Sequence, residues 1–181
     1  MEYRKLIKLK DGRECCLRSA AEDDGQAVLD IYILTHEQTD YLLSYPDESN
    51  ITAEQESRYL KAKAESDNEV EILAEIDGAV AGIAGLDAVG KREKLRHRVD
   101  FGVSIDRRYW GLGIGTALLD ACIECARKAG YEQLELNVVA ENERAISIYR
   151  KAGFVEFGRN PKGFKSRLTG YQEVVCMRME L

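Results

Sequence analysis

The run Ser104-Ile105-Asp106-Arg107-Arg108-Tyr109-Trp110-Gly111-Leu112-Gly113-Ile114-Gly115-Thr116 decides the fold, because a strand-like segment breaks there into alternate glycines and opens a long amphipathic helix. Glycines at 111, 113 and 115 permit φ > 0 and a close approach of backbone to ligand. The first N–H groups of the helix have no intrahelical acceptor, and with the helix dipole they favour an anion at the turn. Two well-known phosphate loops fail against these residues. A Walker loop needs Lys and then Ser or Thr after its last glycine, whereas Gly115 is followed by Thr116 and Ala117. The dinucleotide fingerprint needs a final Gly or Ala where this chain has Thr116 or Leu118, according to register. Glu135, at the end of an apolar strand-like run, keeps a nicotinamide reading open as a ribose-binding carboxylate.

Downstream, the strand-like Gln133-Leu134-Glu135-Leu136-Asn137-Val138-Val139 leads into Ala140-Glu141-Asn142-Glu143-Arg144-Ala145-Ile146-Ser147-Ile148-Tyr149-Arg150-Lys151-Ala152-Gly153-Phe154. Two motifs now stand in order, R/Q-x-x-G-x-G/A at the loop and N-x-x-A-x-x-x-Y-x-x-x-G-F at Asn142, Ala145, Tyr149, Gly153 and Phe154. On these the chain resembles the GNAT superfamily of acetyl-CoA-dependent N-acetyltransferases, most closely over residues 70 to 157. The loop fits in two registers: Gly113 and Gly115 as the paired glycines, with Trp110 in the Arg/Gln place, or Gly111 and Gly113, with Arg108 there.

The resemblance implies an α/β (α+β) fold: a mixed, mostly antiparallel sheet of about seven strands with about four helices, splayed between the family's fourth and fifth strands, here 99–105 and 132–139. It also implies a site. Val103, Ser104 and Ile105 would bind the pantetheine arm through main-chain groups the splay leaves free. Arg108, Gly111, Gly113, Ile114, Gly115, Thr116 and Asn142 would contact acetyl-CoA, used as co-substrate without a metal. Tyr149 would be the general acid for the departing thiolate, and Asp100 the general base, on a strand where relatives carry Glu. Beside those roles, Tyr149 also fits an apolar stripe with Ala145, Ile148 and Ala152, and Asn142 suits a helix N-cap. Direct transfer to a primary amine through a ternary complex is the expected reaction, a non-catalytic acyl-CoA-binding module the alternative.

Composition agrees with one domain spanning 1–181: the chain has 181 residues, 45% of them hydrophobic. A net charge of −6 argues against nucleic acid as partner. The start Met1-Glu2-Tyr3-Arg4-Lys5 has no apolar core of a signal peptide, and no run reaches the roughly 20 apolar residues of a bilayer span, so a cytoplasmic protein without membrane contact is expected. A homodimer is left open. The five cysteines form no disulfide framework, and Cys122 and Cys125 fall on the apolar stripe of the helix that follows the glycine loop and ends near Gly130, as small core residues do.

Local signals fill in the rest. Asp77-Gly78 between two apolar runs marks a hairpin, which argues against the nicotinamide reading. Ser19-Ala20-Ala21-Glu22 and Thr52-Ala53-Glu54-Gln55 read as capping boxes, the second opening a helix to about Glu65. In the family the acceptor lies over segments equivalent to 35–50, acidic here, and 158–171, basic here. The first suits a polyamine or aminoglycoside, the second a carboxylate or a cofactor phosphate, and a protein amine is equally allowed.

Overall fold

A computed structural model describes residues 1–181. Its elements are β1 (Arg4–Lys8), β2 (Glu14–Ser19), α1 (Gly25–Gln38), α2 (Ala53–Glu65), β3 (Val70–Ile76), β4 (Ala79–Ala88), β5 (Arg98–Ile105), α3 (Ile114–Lys128), β6 (Gln133–Val139), α4 (Glu143–Ala152), β7 (Val155–Ser166) and β8 (Gly170–Glu180). The strands form one eight-stranded sheet in the order β1-β2-β3-β4-β5-β6-β8-β7. Every neighbouring pair is antiparallel except β5 and β6, joined by the crossover helix α3. The count is thus eight where about seven were expected, and the splay falls between the fifth and sixth strands of this chain. Its residue ranges are those expected.

Alternation along β3 separates the two faces of the sheet. Val70, Ile72 and Ala74 join the large core with Leu118, Cys122 and Ala126 of α3, whereas Leu73 packs with Val28 of α1 and Leu60 of α2. Cys122 and Cys125 are buried free thiols, as their place on the stripe predicts. Leu118 and Leu119 are fully buried, and truncating such a side chain to Ala costs about 2–5 kcal/mol. No helix is long and apolar enough to cross a membrane.

The Asp77-Gly78 turn has φ of 51° and 79°, the doubly positive pattern of a two-residue hairpin. The Thr52 box forms as expected, its hydroxyl accepting from the Gln55 N–H at 3.2 Å while the Gln55 amide oxygen accepts from the Thr52 N–H at 2.8 Å. The Ser19 box does not form. Ser19 Oγ accepts from the Tyr3 N–H and donates to the Met1 carbonyl, so the segment ahead of β1 claims it, and α1 starts later, at Gly25. β7 and β8 pair as a long hairpin, β7 running to Ser166.

Candidate active site

Only Arg98, Val99 and Asp100 of β5 pair with β6, opposite Gln133, Leu134 and Glu135. Beyond them the strands part while β5 stays paired with β4 as far as Ile105. The direction of each main-chain group follows from alternation. His97 C=O accepts from Gln133 N–H towards β6, whereas Arg98 C=O accepts from Val89 N–H and Asp106 N–H donates to Ala81 C=O, both towards β4. Odd-numbered residues therefore face the β6 side: Phe101 N–H still belongs to the last rung of the ladder, at Glu135, and beyond it Val103 and Ile105 turn their N–H and C=O to the opening, whereas Ser104 does not. Of the three residues expected to supply these groups, Val103 and Ile105 face the splay, and Ser104 spends its main-chain groups on β4. The Ile105 carbonyl already accepts from the Trp110 indole N–H at 2.7 Å.

The glycine loop stands at the same end. Gly111 and Gly113 lie at φ of 88° and 101°, a region closed to most side chains, and Gly113 is the N-cap of α3. Gly115 is helical instead, and its smallness serves packing: a Cβ there would sit 3.3 Å from Ile105 Cδ1. Main-chain N–H groups from Gly111 to Thr116 find no acceptor within the chain, which makes a concave anion-binding nest at the helix N-terminus.

Asp106 shapes this loop from beneath. Its fully buried carboxylate accepts from the Arg108 N–H at 3.0 Å, Arg108 Nε at 2.7 Å and Gln38 Nε2 at 3.0 Å. Burial alone would raise its pKa, but these hydrogen bonds hold it below the usual range. The Arg108 guanidinium is thereby committed to the loop's own architecture. Trp110 is flanked by Arg107 and Arg144, each 5.5 Å from its ring centre, so cations from two elements gather beside the nest.

On α4, Asn142 is the N-cap, its side-chain oxygen accepting from the Ala145 N–H at 3.2 Å. Tyr149 is 8% exposed, edge-on to Phe101 of β5 with ring centres 6.1 Å apart, and against Phe154. Its hydroxyl has no partner in the chain, yet no buried side-chain polar atom is left unpaired, so that hydroxyl still reaches accessible space. Burial pushes its pKa up to about 12, which keeps the proton on oxygen at neutral pH.

The opposite face of the sheet holds a cavity of about 350 Å³ between α1, α2 and strands β3 to β5. It meets the divergence at Gly102, Val103 and Ser104. Glu71 lines it, a residue that sequence reasoning missed. Its register partner on β4 is Gly85, whose own partner on β5 is Gly102. The carboxylate lies over Gly85 so closely that a Cβ there would be 2.5 Å from Glu71 Oε2, and above Gly102 the space is open. Burial, with Asp87 and Glu56 nearby and Lys63 opposing, raises the Glu71 pKa to about 7. Asp100 is exposed, lies outside this cavity, and sits in register between Asp87 and Glu135. Partial desolvation by its neighbours and the Glu135 charge raise its pKa.

Of the two expected acceptor segments, 35–50 supplies His36, Leu42 and Leu43 to the cavity, and 158–171 supplies none of its lining. Asp40, part of the acidic lip, instead accepts from Ser166 Oγ at 2.6 Å and ties that segment to the β7–β8 hairpin. Glu135 is held by the Arg98 guanidinium and by Gln133 Nε2 at 2.7 Å, which removes the carboxylate that a ribose would need. With the sheet order mixed rather than doubly wound, the nicotinamide reading has no support left.

The structure thus sets an opened sheet edge beside a nest of unpaired amides, with a cavity meeting the same divergence from the other face. The Acetyltransferase (GNAT) family model matches residues 31–154, and the chain belongs to that family. It is 36% identical over 93 residues to the L-amino acid N-acetyltransferase AaaT of Escherichia coli (strain K12), a match covering 51% of this chain and 57% of that protein. The chain thus spans little more than half of that curated relative. Among solved structures, an acetyltransferase of GNAT family from Streptococcus pneumoniae superposes with a TM-score of 0.88 at 30% identity, covering 92% of this chain and 99% of that one. A GNAT superfamily phosphinothricin acetyltransferase from Sinorhizobium meliloti, solved in complex with AcCoA, shares the fold at a TM-score of 0.79 and 22% identity, covering 92% and 88% of the two chains.

Proposed function

We propose that this chain transfers the acetyl group of acetyl-CoA directly to a primary amine, both ligands bound at once within one domain of residues 1–181, its cofactor core about 70–157. One observation carries the reading: the free main-chain groups of Val103, the free N–H of Ile105 and the amide nest of Gly111 to Thr116 lie at the same end of the divergence between β5 and β6. A pantetheine arm paired like a strand along β5 delivers its pyrophosphate to that nest. The relative crystallised with AcCoA supports this assignment of the ligand.

The loop register follows from backbone conformation. The last position of R/Q-x-x-G-x-G/A admits Ala and so needs ordinary helical φ, a condition that Gly115 meets and Gly113, at φ 101°, does not. Gly113 and Gly115 are then the paired glycines, and Trp110 stands in the Arg/Gln place. Arg108 keeps a supporting role through Asp106.

Holding amine and thioester together supplies up to about 7–11 kcal/mol of the barrier. The amine lone pair forms the C–N bond at the thioester carbon as the C–S bond breaks, and the departing sulfur takes the Tyr149 hydroxyl proton. The phenolate recovers a proton from the newly acylated nitrogen. The test is a thermal-shift titration with acetyl-CoA and NAD, followed by thiol release across amines. Stabilisation by acetyl-CoA with amine-dependent thiol release is expected. Stabilisation by NAD alone would overturn the reading, and binding without release by any amine would favour the non-catalytic alternative.

A further inference from the structure

The cavity on the α1–α2 face has a charge pattern that selects among amines. Its floor is the cross-strand row Glu71, Gly85, Gly102, where two missing side chains leave a trough leading from the Glu71 carboxylate towards β5. Adjacent strands are about 4.8 Å apart, so a carboxylate lying over Gly85 sits roughly one strand from the opening. Val28, Tyr32, Leu42, Ile51 and Ile83 form the apolar part of the wall.

No arginine or lysine lines it. The nearest cation, Lys63 of α2, is buried and occupied, donating to the Leu86 carbonyl at 2.7 Å and to Asp87 Oδ1 at 2.6 Å. His36 of α1 stacks on Tyr32 at 3.8 Å and its Nδ1 is 2.7 Å from the Tyr32 carbonyl, while burial lowers its pKa and keeps it neutral. The groups facing Glu71 are then Glu56, Tyr59 and Lys63 from α2 and Asp87 from β4. The Glu71 carboxylate has no hydrogen-bond or ion-pair partner in the chain, whereas Arg18 pairs with Glu75 on the same strand.

We infer that this cavity is the acceptor site for a primary ammonium carried on an apolar or aromatic body without a carboxylate, and that Glu71, rather than Asp100, takes the proton from that ammonium. The inference rests on the acetyl-transfer reading above and narrows its substrate class. A carboxylate on the acceptor would enter a cavity holding Glu56, Glu71 and Asp87 with no free cation to meet it. The proton balance closes: one ammonium proton goes to Glu71 and later to water, and the neutral nitrogen attacks as described.

The experiment compares phenethylamine, L-phenylalanine methyl ester and L-phenylalanine, three acceptors of one shape that differ in the group beside the amine. Thiol release is followed from pH 5.5 to 9 with wild-type protein and Glu71→Gln. Acetyl-CoA binding is read separately by thermal shift. The amine and the ester are expected to exceed L-phenylalanine in kcat/KM by tenfold or more, with a wild-type rate that rises as pH passes about 7, where Glu71 gives up its proton. Glu71→Gln should lower kcat by about 100-fold, abolish that rise, and leave the acetyl-CoA shift intact. Should the variant fail to fold, the charge series and the wild-type pH profile decide alone. L-phenylalanine matching the ester, or no turnover of amine and ester while acetyl-CoA is bound, would overturn the inference. So would a Glu71→Gln enzyme with wild-type rate and pH profile. Absence of any acetyl-CoA shift would be the distinct failure of the cofactor reading.

Discussion

The two faces of the sheet handle recognition by different physical means. On the α3–α4 side, the end proposed for the cofactor is built from main-chain donors: an alternating strand edge, two left-handed glycines and the unpaired first turn of α3. On the α1–α2 side, the cavity is built from side chains that touch only because the sheet brings β3, β4 and β5 into one register. Backbone recognition tolerates nearly any side chain and so suits a constant ligand, whereas side-chain recognition changes with each substitution and suits a particular one.

The largest expected effect is on chemistry. Tyr149→Phe should lower kcat by about 100-fold or more, with the acetyl-CoA KM nearly unchanged. A variant that kept kcat and lost stability instead would make Tyr149 a core aromatic. Next come the glycines. Gly113→Ala forces a side chain into left-handed backbone at about 1–2 kcal/mol and places a methyl group against the nest, so acetyl-CoA affinity should fall roughly tenfold by titration calorimetry. Gly115→Ala should bind normally, its new Cβ meeting only the side-chain ends of Ile105 and Ile148. Equal losses at both positions would break the proposed register.

Stability should carry the mark of Glu71 as well. Its folded pKa of about 7 lies above the roughly 4.3 of an unfolded glutamate, so the folded state holds the extra proton between those values. The benefit is complete below about 4.3 and lost as pH rises through about 7. Calorimetric melting should show Glu71→Gln gaining on wild type at pH 8 relative to pH 5, and the opposite sign would place Glu71 in a paired environment. The smallest effect is local: Asn142→Ala removes a helix cap at about 1 kcal/mol, or about 2–4 °C in Tm.

What was legible in the sequence divides along the same line. The glycine loop, the Asp77-Gly78 turn, the Thr52 box and the Asn142 cap are satisfied by residues within a few positions of one another, so spacing reveals them. Ser19 misled because its hydroxyl is taken by Tyr3 and Met1, in the segment just ahead of β1. The parity that turns Ser104 away from the opening is fixed only by the ladder with β4. Glu71 and Glu75 look alike in Val70-Glu71-Ile72-Leu73-Ala74-Glu75. One pairs with Arg18, 57 residues away, while the other lies unpaired over Gly85. A carboxylate set in a strand covered on both sides was the available signal, and its meaning depended on partners that only the sheet assembles.

The central claim, that main-chain donors at the β5–β6 divergence and the start of α3 grip the cofactor, is tested most directly by amide hydrogen exchange with and without saturating acetyl-CoA. Slowed exchange at Val103, Ile105 and Gly111 to Thr116 is predicted, with Ser104 little changed because its N–H already serves β4. Full thermal stabilisation by acetyl-CoA with no added protection at those amides would contradict it.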